Sequence, residues 1–278
     1  MAKRIKLVLI VVLICSSILF FINININEPS KSVNSKSSSI YQDFNCDTWK
    51  NFSYIDVWKY RRCLKWSRND AFWSVQGVRH TAFKYLLNSS SLIIEVGGNT
   101  GLDTSKFVEL YDPFIISFEP IKSMSNGLIE KFKKNPKIEI QPYGLGNHAR
   151  NLSIELFDAD NTGSSIFRKI SAKNSSKVQP IQLLDIVSVI ENIRKTKTQN
   201  GMIDMISINC EGCEFEILPA LILHNLTQYI RIIQFASHMD FLTDSSCIYC
   251  QIEQALERTH TIKYQYVMLW EAWLLKNR

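Results

Sequence analysis

From residue 91 onward, short apolar runs alternate with amphipathic stretches. An apolar run bounded by turn residues reads as a strand buried on both faces, and a rhythm near 3.6 reads as a helix that buries one side. SLIIEV (91–96), FIISFE (114–119), KIEIQPY (137–143), MIDMISIN (202–209) and RIIQFASH (231–238) are therefore predicted strands. DTSKFVELY (103–111), MSNGLIEKFKK (124–134), CEFEILPALILHN (213–225) and residues 245–259 are predicted helices between or after them. Strand and helix in alternation predict parallel pairing with right-handed crossovers, hence an α/β sheet with helices on both faces. NLSIELFD (151–158) and GSSIFRK (163–169) alternate polar and apolar positions around a turn, predicting an inserted hairpin or edge strands. VQPIQLL (178–184) leads into a further helix with Asp185 as its N-cap, and TIKYQYVMLW (261–270) with EAWLLK (271–276) closes the sheet as a strand pair.

The first predicted strand ends in EVGGNTG. Gly97, Gly98 and Gly101 surround Asn99 and Thr100 just before a helix, so the chain turns tightly and leaves room for a ligand at a helix N-terminus. Glu119 ends the second strand 18 residues after Gly101, where nucleotide-binding folds place the carboxylate that accepts both ribose hydroxyls. The spacing is not that of a dinucleotide site, because Asn99 and Thr100 stand where GxGxxG needs a second glycine. The pattern is ExGGxxG. S-adenosylmethionine has no pyrophosphate to cradle, and its cationic amine and sulfonium suit a carboxylate such as Glu95. Glu95, Gly97, Gly98, Asn99, Gly101 and Glu119 are thus the candidate cofactor contacts; the competing reading of the glycines is an ordinary strand-turn-helix corner.

Ahead of this lies a different kind of sequence. Residues 1–6 are basic and 7–22 are uncharged and apolar, a length between a signal-peptide core and a full membrane span. Directly after Phe21 come alternating Asn and Ile and no small-x-small cleavage pair, so a signal anchor is expected over 1–26, with the C-terminus in the lumen of the Golgi or endoplasmic reticulum. A cleaved signal, and hence secretion, is the alternative. Residues 27–40 are rich in Ser, Asn and Lys and are expected to be a flexible stem. Residues 41–88 carry many aromatics at helical spacing, among them Trp49, Trp58, Trp66 and Trp73, and are expected to form a helical cap over one sheet edge. That leaves 89–278 as the catalytic domain. Sequons at Asn51, Asn88, Asn151, Asn174 and Asn225 agree with a lumenal glycoprotein. Formal charge is +6, but Lys3, Arg4 and Lys6 supply three of those charges, and no basic stripe is interleaved with aromatics, so nucleic acid is not an expected partner.

Taken in order, IIEVGGNTG, ISFEP, QPYGLGNH, SSIF and INCEGCEFEIL resemble the FkbM family of S-adenosylmethionine-dependent methyltransferases over roughly residues 90–240. The resemblance implies a class I methyltransferase (Rossmann-like) sheet and methyl transfer to a hydroxyl, often of a sugar or polyketide. It also implies that Glu95, Gly97 and Gly101 line the methionine end of the cofactor and that Glu119 holds the ribose. Three positions depart from the family's usual reading: Ser207 stands for Lys, Asn209 for Asp and Ala236 for a carboxylate.

Methyl transfer to oxygen needs in-line positioning and a base for the hydroxyl proton. His238 is the expected base by position, its competing reading being a packed histidine. Glu211 either touches acceptor or cofactor, serves as the base, or caps the helix that follows. Cys210 with Cys213 and Cys247 with Cys250 form two CxxC pairs, compatible with a four-thiolate zinc site or, as an oxidising lumen favours, with disulfides; Cys46 and Cys63 are a further plausible pair. The resulting expectation is a membrane-anchored, lumen-facing O-methyltransferase acting on a glycan or other hydroxyl-bearing acceptor. Its rivals are a catalytically inactive FkbM-like binding protein and a structural interaction module on the same scaffold.

Overall fold

The computed structural model describes residues 72–157, 163–170, 177–239, 242, 245–266 and 269–276. The expected anchor, the stem, most of the helical cap, the Cys46 and Cys63 pair, and the sequons at Asn51 and Asn174 lie outside the described residues. Among the described residues no helix is long and apolar enough to cross a membrane.

The chain runs α1 (Phe72–Thr81), β1 (Leu92–Val96), α2 (Leu102–Tyr111), β2 (Phe114–Phe118), α3 (Lys122–Phe132) and β3 (Ile138–Gln141). Next come β4 (Gly144–Gly146), β5 (Arg150–Glu155), β6 (Val178–Asp185), α4 (Ile186–Thr196), β7 (Ile203–Ile208) and α5 (Glu214–Leu223). The last elements are β8 (Ile230–Ala236), α6 (Ser245–Thr259), β9 (His260–Tyr266) and β10 (Trp270–Leu275). Seven strands form one sheet in the order β3-β2-β1-β7-β8-β10-β9, parallel except for β10, which runs antiparallel to both neighbours. This is a Rossmann-like α/β architecture. The strand order reverses between β1 and β7, and ligands of open α/β sheets bind at such a switch point, outside the carboxyl ends of the strands.

Alternation along the strands explains why both faces are covered. Ile94, Val96, Ile116, Phe118, Ile206, Ile208, Ile233 and Phe235 point to a core shared with α4, α5 and α6. Ile93, Ile115, Met205 and Ile232 point the other way, onto Phe107 and Tyr111 of α2 and onto Phe83 and Leu87, which follow α1. Asp185 caps α4 as expected, its carboxylate accepting from the backbone N–H groups of Val187 and Ser188.

The insertion differs from its sequence reading. β5 pairs antiparallel with β6, not with residues 163–169, and β4 adds to the other side of β6 to make a separate three-stranded sheet. Among the described residues of 163–169 there is no strand: the Ser165 hydroxyl donates to the carbonyl of Glu211 at 2.5 Å and accepts from Phe167 N at 3.2 Å. Such local serine bonds compete with a strand ladder. Pro180 is tolerated within β6 because β4 pairs only with 183–185, so β6 is still an edge at that point.

A polar row crosses the main sheet on the α2 face. Ser117, Glu95, Ser207 and Gln234 are successive cross-strand neighbours. Glu95 Oε2 accepts from Ser117 Oγ at 2.5 Å and from Thr104 Oγ1 at 2.7 Å, Gln234 Nε2 donates to Ser207 Oγ at 3.2 Å, and Tyr264 OH donates to Gln234 Oε1 at 2.7 Å. Glu95 Oε1 is buried without a partner. Burial, then the nearby Asp103 charge, push the Glu95 pKa up to about 7.

A second buried carboxyl lies on the opposite face. Glu271 accepts from Tyr249 OH at 2.5 Å, Gln265 Nε2 at 2.8 Å and Trp273 Nε1 at 2.8 Å, and Gln265 also donates to Glu253. Burial, and then the Glu253 carboxylate, raise the Glu271 pKa to about 7.

Both groups hold a proton in the fold that the unfolded chain releases near 4.5, so the folded state binds more protons across this window and loses stability as pH rises from about 4.5 to 7. Glu271→Gln keeps the shape of the protonated acid and removes its titration. Urea unfolding at pH 5 and pH 7.5 should show the wild type losing more stability between the two than the variant, by roughly 2–3 kcal/mol. Parallel behaviour of the two proteins would place the Glu271 pKa in the ordinary range.

Candidate active site

A cavity of about 770 Å³ opens over the carboxyl ends of β1, β2, β7 and β8, within the size range of small-molecule sites. Its floor is the loop after β1. Gly97 has φ +92°, and a Cβ there would overlap the backbone carbonyl oxygen of Asn209. Gly97 N and Asn209 N are in turn fixed by the carbonyls of Phe118 and Val96, at 2.9 and 2.8 Å. Gly101, at φ +72°, caps α2 in the left-handed region. Lys131 of α3 holds the loop from outside, donating to the carbonyls of Thr100 and Gly101 at 3.0 and 2.9 Å.

Glu119 enters the cavity wall directly after β2 and is 4% exposed. Each of its oxygens takes one backbone N–H, Oε2 from Asn99 and Oε1 from Ile121, both at 2.8 Å. Burial raises its pKa, partly offset by those two bonds. A carboxylate has about four lone-pair sites, so two remain for a ligand. The wall beside it is apolar: Ile121, Leu145, Ile154, Ile181 and Leu183, contributed largely by the small sheet. That sheet is tied to α5 by Arg150, whose Nη2 meets Glu216 Oε1 at 2.8 Å.

Glu95 is placed otherwise than expected. Its side chain lies under the loop, held by Thr104 and Ser117, and it is not among the residues lining the cavity. Strand alternation explains this: Glu95 points to the α2 face of the sheet, whereas Gly97 and Glu119 stand in the loops above the strand ends. Charged groups bordering the same floor are Asp103, in the first turn of α2, and Arg79 of α1. Arg79 grips Asp103 with both terminal nitrogens, at 2.5 and 2.6 Å, and stacks 4.4 Å from the centre of the Trp270 ring.

On the far side of the cavity the structure brings His238 and Glu211 together. His238 Nε2 stands 3.5 Å from Glu211 Oε1, and both residues line the cavity. Nδ1 lies 2.9 Å from Glu214 Oε1, the same oxygen accepting His238 N at 2.7 Å, while Glu214 Oε2 accepts Gly212 N at 3.0 Å. A carboxylate only accepts, so Nδ1 donates to Glu214, while Nε2 faces the Glu211 carboxylate at the cavity wall and bonds to it only when the ring is protonated. Glu211 does not cap α5: Cys213 is the N-cap and makes no side-chain cap bond. Glu211 sits at φ +57° inside a ring closed by the Cys210–Cys213 disulfide, with its carbonyl held by Ser165. Cys247 and Cys250 are disulfide-bonded as well, so the two CxxC pairs do not supply a shared four-thiolate centre. Asn209 and Ala236 both line the cavity. His148 is exposed and contacts Asn147.

Sequence reasoning missed Glu214, Arg79 and Asp103. Glu214 had a signal: it follows Glu211 by three residues in CEGCE and is the first residue of the helix that comes next. Arg79 had none, since it meets Asp103 across 24 residues.

No protein-family profile matches this chain, and no curated protein sequence does. Among solved structures it is similar to the fibrillarin pre-rRNA processing protein of Methanococcus jannaschii, with a TM-score of 0.41 and 11% identity over 69% of this chain and 70% of that one. An rRNA methylase of Streptococcus thermophilus gives 0.40 and 11%, covering 72% of this chain and 93% of that one. Aeropyrum pernix fibrillarin, whose structure holds S-adenosyl-L-methionine, gives 0.38 and 12%, covering 72% and 74%. What those proteins bind and act on is a property of those proteins.

Gly97→Ala tests the floor. The substitution must strain a left-handed backbone and displace the Asn209 carbonyl, costing about 3 kcal/mol or more. Chemical denaturation of the variant measures the loss, and stability equal to wild type would show that the two loops are not in contact.

Proposed function

We propose that this chain is an S-adenosylmethionine-dependent O-methyltransferase that acts on a glycan hydroxyl from the lumenal side of an N-terminal anchor. The observation that carries the reading is the row Glu214, His238, Glu211 facing a glycine-floored cavity whose opposite wall holds Glu119. The cavity residues fit the cofactor. Glu119 has acceptor capacity left for a ribose diol, Ile121, Leu145 and Leu183 offer apolar surface for a purine ring, and the 97–101 loop leaves backbone space beside the strand ends. Bound there, the cofactor supplies an electrophilic methyl group on a sulfonium.

The protein's own contribution is a base and its orientation. Glu214 fixes the His238 ring through Nδ1, which turns Nε2 toward Glu211 and the cavity as the proposed acceptor of a hydroxyl proton. Once His238 is protonated, Glu211 at 3.5 Å stabilises the imidazolium from the other side. Neither Asn209 nor Ala236 is needed for that proton. Polar groups that line the cavity, among them Thr100 and Arg168, which are exposed, suit a hydroxyl-bearing acceptor. The described sequons Asn88, Asn151 and Asn225 are all exposed, in keeping with a lumenal location.

The second reading is an inactive protein that binds the cofactor or a glycan without turnover. Asn209 and Ala236, which put no titratable group where the resemblance implies carboxylates, favour it.

The test is the purified full chain with methyl-labelled cofactor and a panel of glycans, with an RNA as control. Label is expected in a glycan. His238→Gln should lower kcat by roughly 10²- to 10⁴-fold with cofactor affinity retained. Glu119→Ala should weaken cofactor binding by about 1.5–3 kcal/mol. Absence of label on any acceptor favours the second reading, and absence of cofactor binding and of glycan binding together removes both.

A further inference from the structure

The displacement of Glu95 beneath the loop leaves the amino-acid end of the cofactor, an ammonium and a carboxylate, without the partner that the motif suggested. We propose that Arg79 and Asp103 together form that subsite, Arg79 taking the carboxylate and Asp103 the ammonium. The assignment rests on the cofactor reading above.

Four observations support it. Both side chains line the cavity beside the 97–101 loop, and both are largely withdrawn from solvent, at 8% and 15% side-chain exposure. Arg79 retains donors: of its five N–H groups, one from Nε goes to Gln76 Oε1 at 2.7 Å and one from each terminal nitrogen goes to Asp103. Two are left over among the described contacts, one on each terminal nitrogen at opposite edges of the guanidinium, and either can give a carboxylate a charge-assisted hydrogen bond. Asp103 retains acceptor capacity, since the two Arg79 bonds and one contact from His80 Nε2 at 3.0 Å use three of about four lone-pair sites. Finally, the pair is fixed before any ligand arrives: Gln76 and Asp103 hold the guanidinium at three points, and the Trp270 ring supports it at 4.4 Å.

Placed against a zwitterion, an ion pair gives four alternating charges, each attracted by its neighbours in a site partly shielded from water. Burial alone raises the Asp103 pKa, but hydrogen bonds from His80 and Arg79, with their charges, bring it down to about 2. Asp103 therefore stays ionised throughout the range in which an amine is protonated. The device also couples α1 to the cofactor, because Arg79 is the one lining cation, among the described residues, that comes from the segment ahead of β1.

Calorimetric titration with two probes tests it. S-adenosylhomocysteine carries the amino-acid end; 5′-methylthioadenosine keeps the adenosine and thioether and lacks it. The wild type should prefer the first by at least about tenfold. Arg79→Gln should weaken S-adenosylhomocysteine by about tenfold to a hundredfold and leave 5′-methylthioadenosine within about twofold, so that the preference collapses. Asp103→Asn, nearly the same size, should reduce the preference likewise. Should Arg79→Gln fail to fold, Arg79→Lys reads the same ratio, because it keeps the charge and loses the fork. Equal binding of both probes by the wild type, or equal weakening of both by the variants, overturns the assignment and leaves the cofactor reading standing. Binding of neither probe by the wild type overturns the cofactor reading and this assignment with it.

Discussion

The contact between Gly97 and the Asn209 carbonyl is the constraint on which the cavity depends. Only hydrogen fits between the two backbones, and each loop is further fixed by a bond to the end of a neighbouring strand. One loop leads to the groups proposed to hold a nucleoside, the other to Glu211. The separation between the two sides of the cavity is thereby set by main chain, which changes less than side-chain packing when a ligand enters. For the proposed methyl transfer, positioning is the largest part of what the protein must supply, and it would be built from the least adjustable atoms available.

Beneath that floor the sheet carries an unusual load of buried polar groups. Glu95 is held by two hydroxyls and keeps one oxygen without a partner, and its cross-strand neighbour in β7 is Ser207, where the resembling family usually has lysine. A lysine beside Glu95 would favour the carboxylate; a serine leaves burial to favour the acid. The neutral residue at 207 and the raised pKa of Glu95 are thus electrostatically consistent with each other. Since Glu95 faces away from the cavity, this adjustment stabilises the support of the loop without altering the charges that line it.

Much of the sheet was legible because its strands are apolar on both faces and its turns are marked by glycine, asparagine and aspartate. Asp185 could be read as a cap because its chemistry is local. The partner of β5 could not: residues 163–169 have strand-like alternation, but Ser165 makes local bonds and docks on Glu211, while β6 contains a proline that hides its strand character until its edge position is known. Gly97, Glu119, Glu211 and His238, singled out from order along the chain, line one cavity. Glu95 was misplaced because a motif gives proximity in sequence and not the side of the sheet. Arg79 was out of reach, since its partner comes from a separate helix and no periodicity connects them.

The bond between Cys210 and Cys213 encloses two residues, Glu211 and Gly212, both in left-handed conformations that an open chain visits at some energetic expense. Cross-linking narrows what that tetrapeptide can do before the molecule has folded around it. A copy of this polypeptide made where thiols persist would have the same sequence and the same strands yet a looser acid beside its imidazole. The shape of the cavity wall would therefore depend on the redox conditions in which the chain folds.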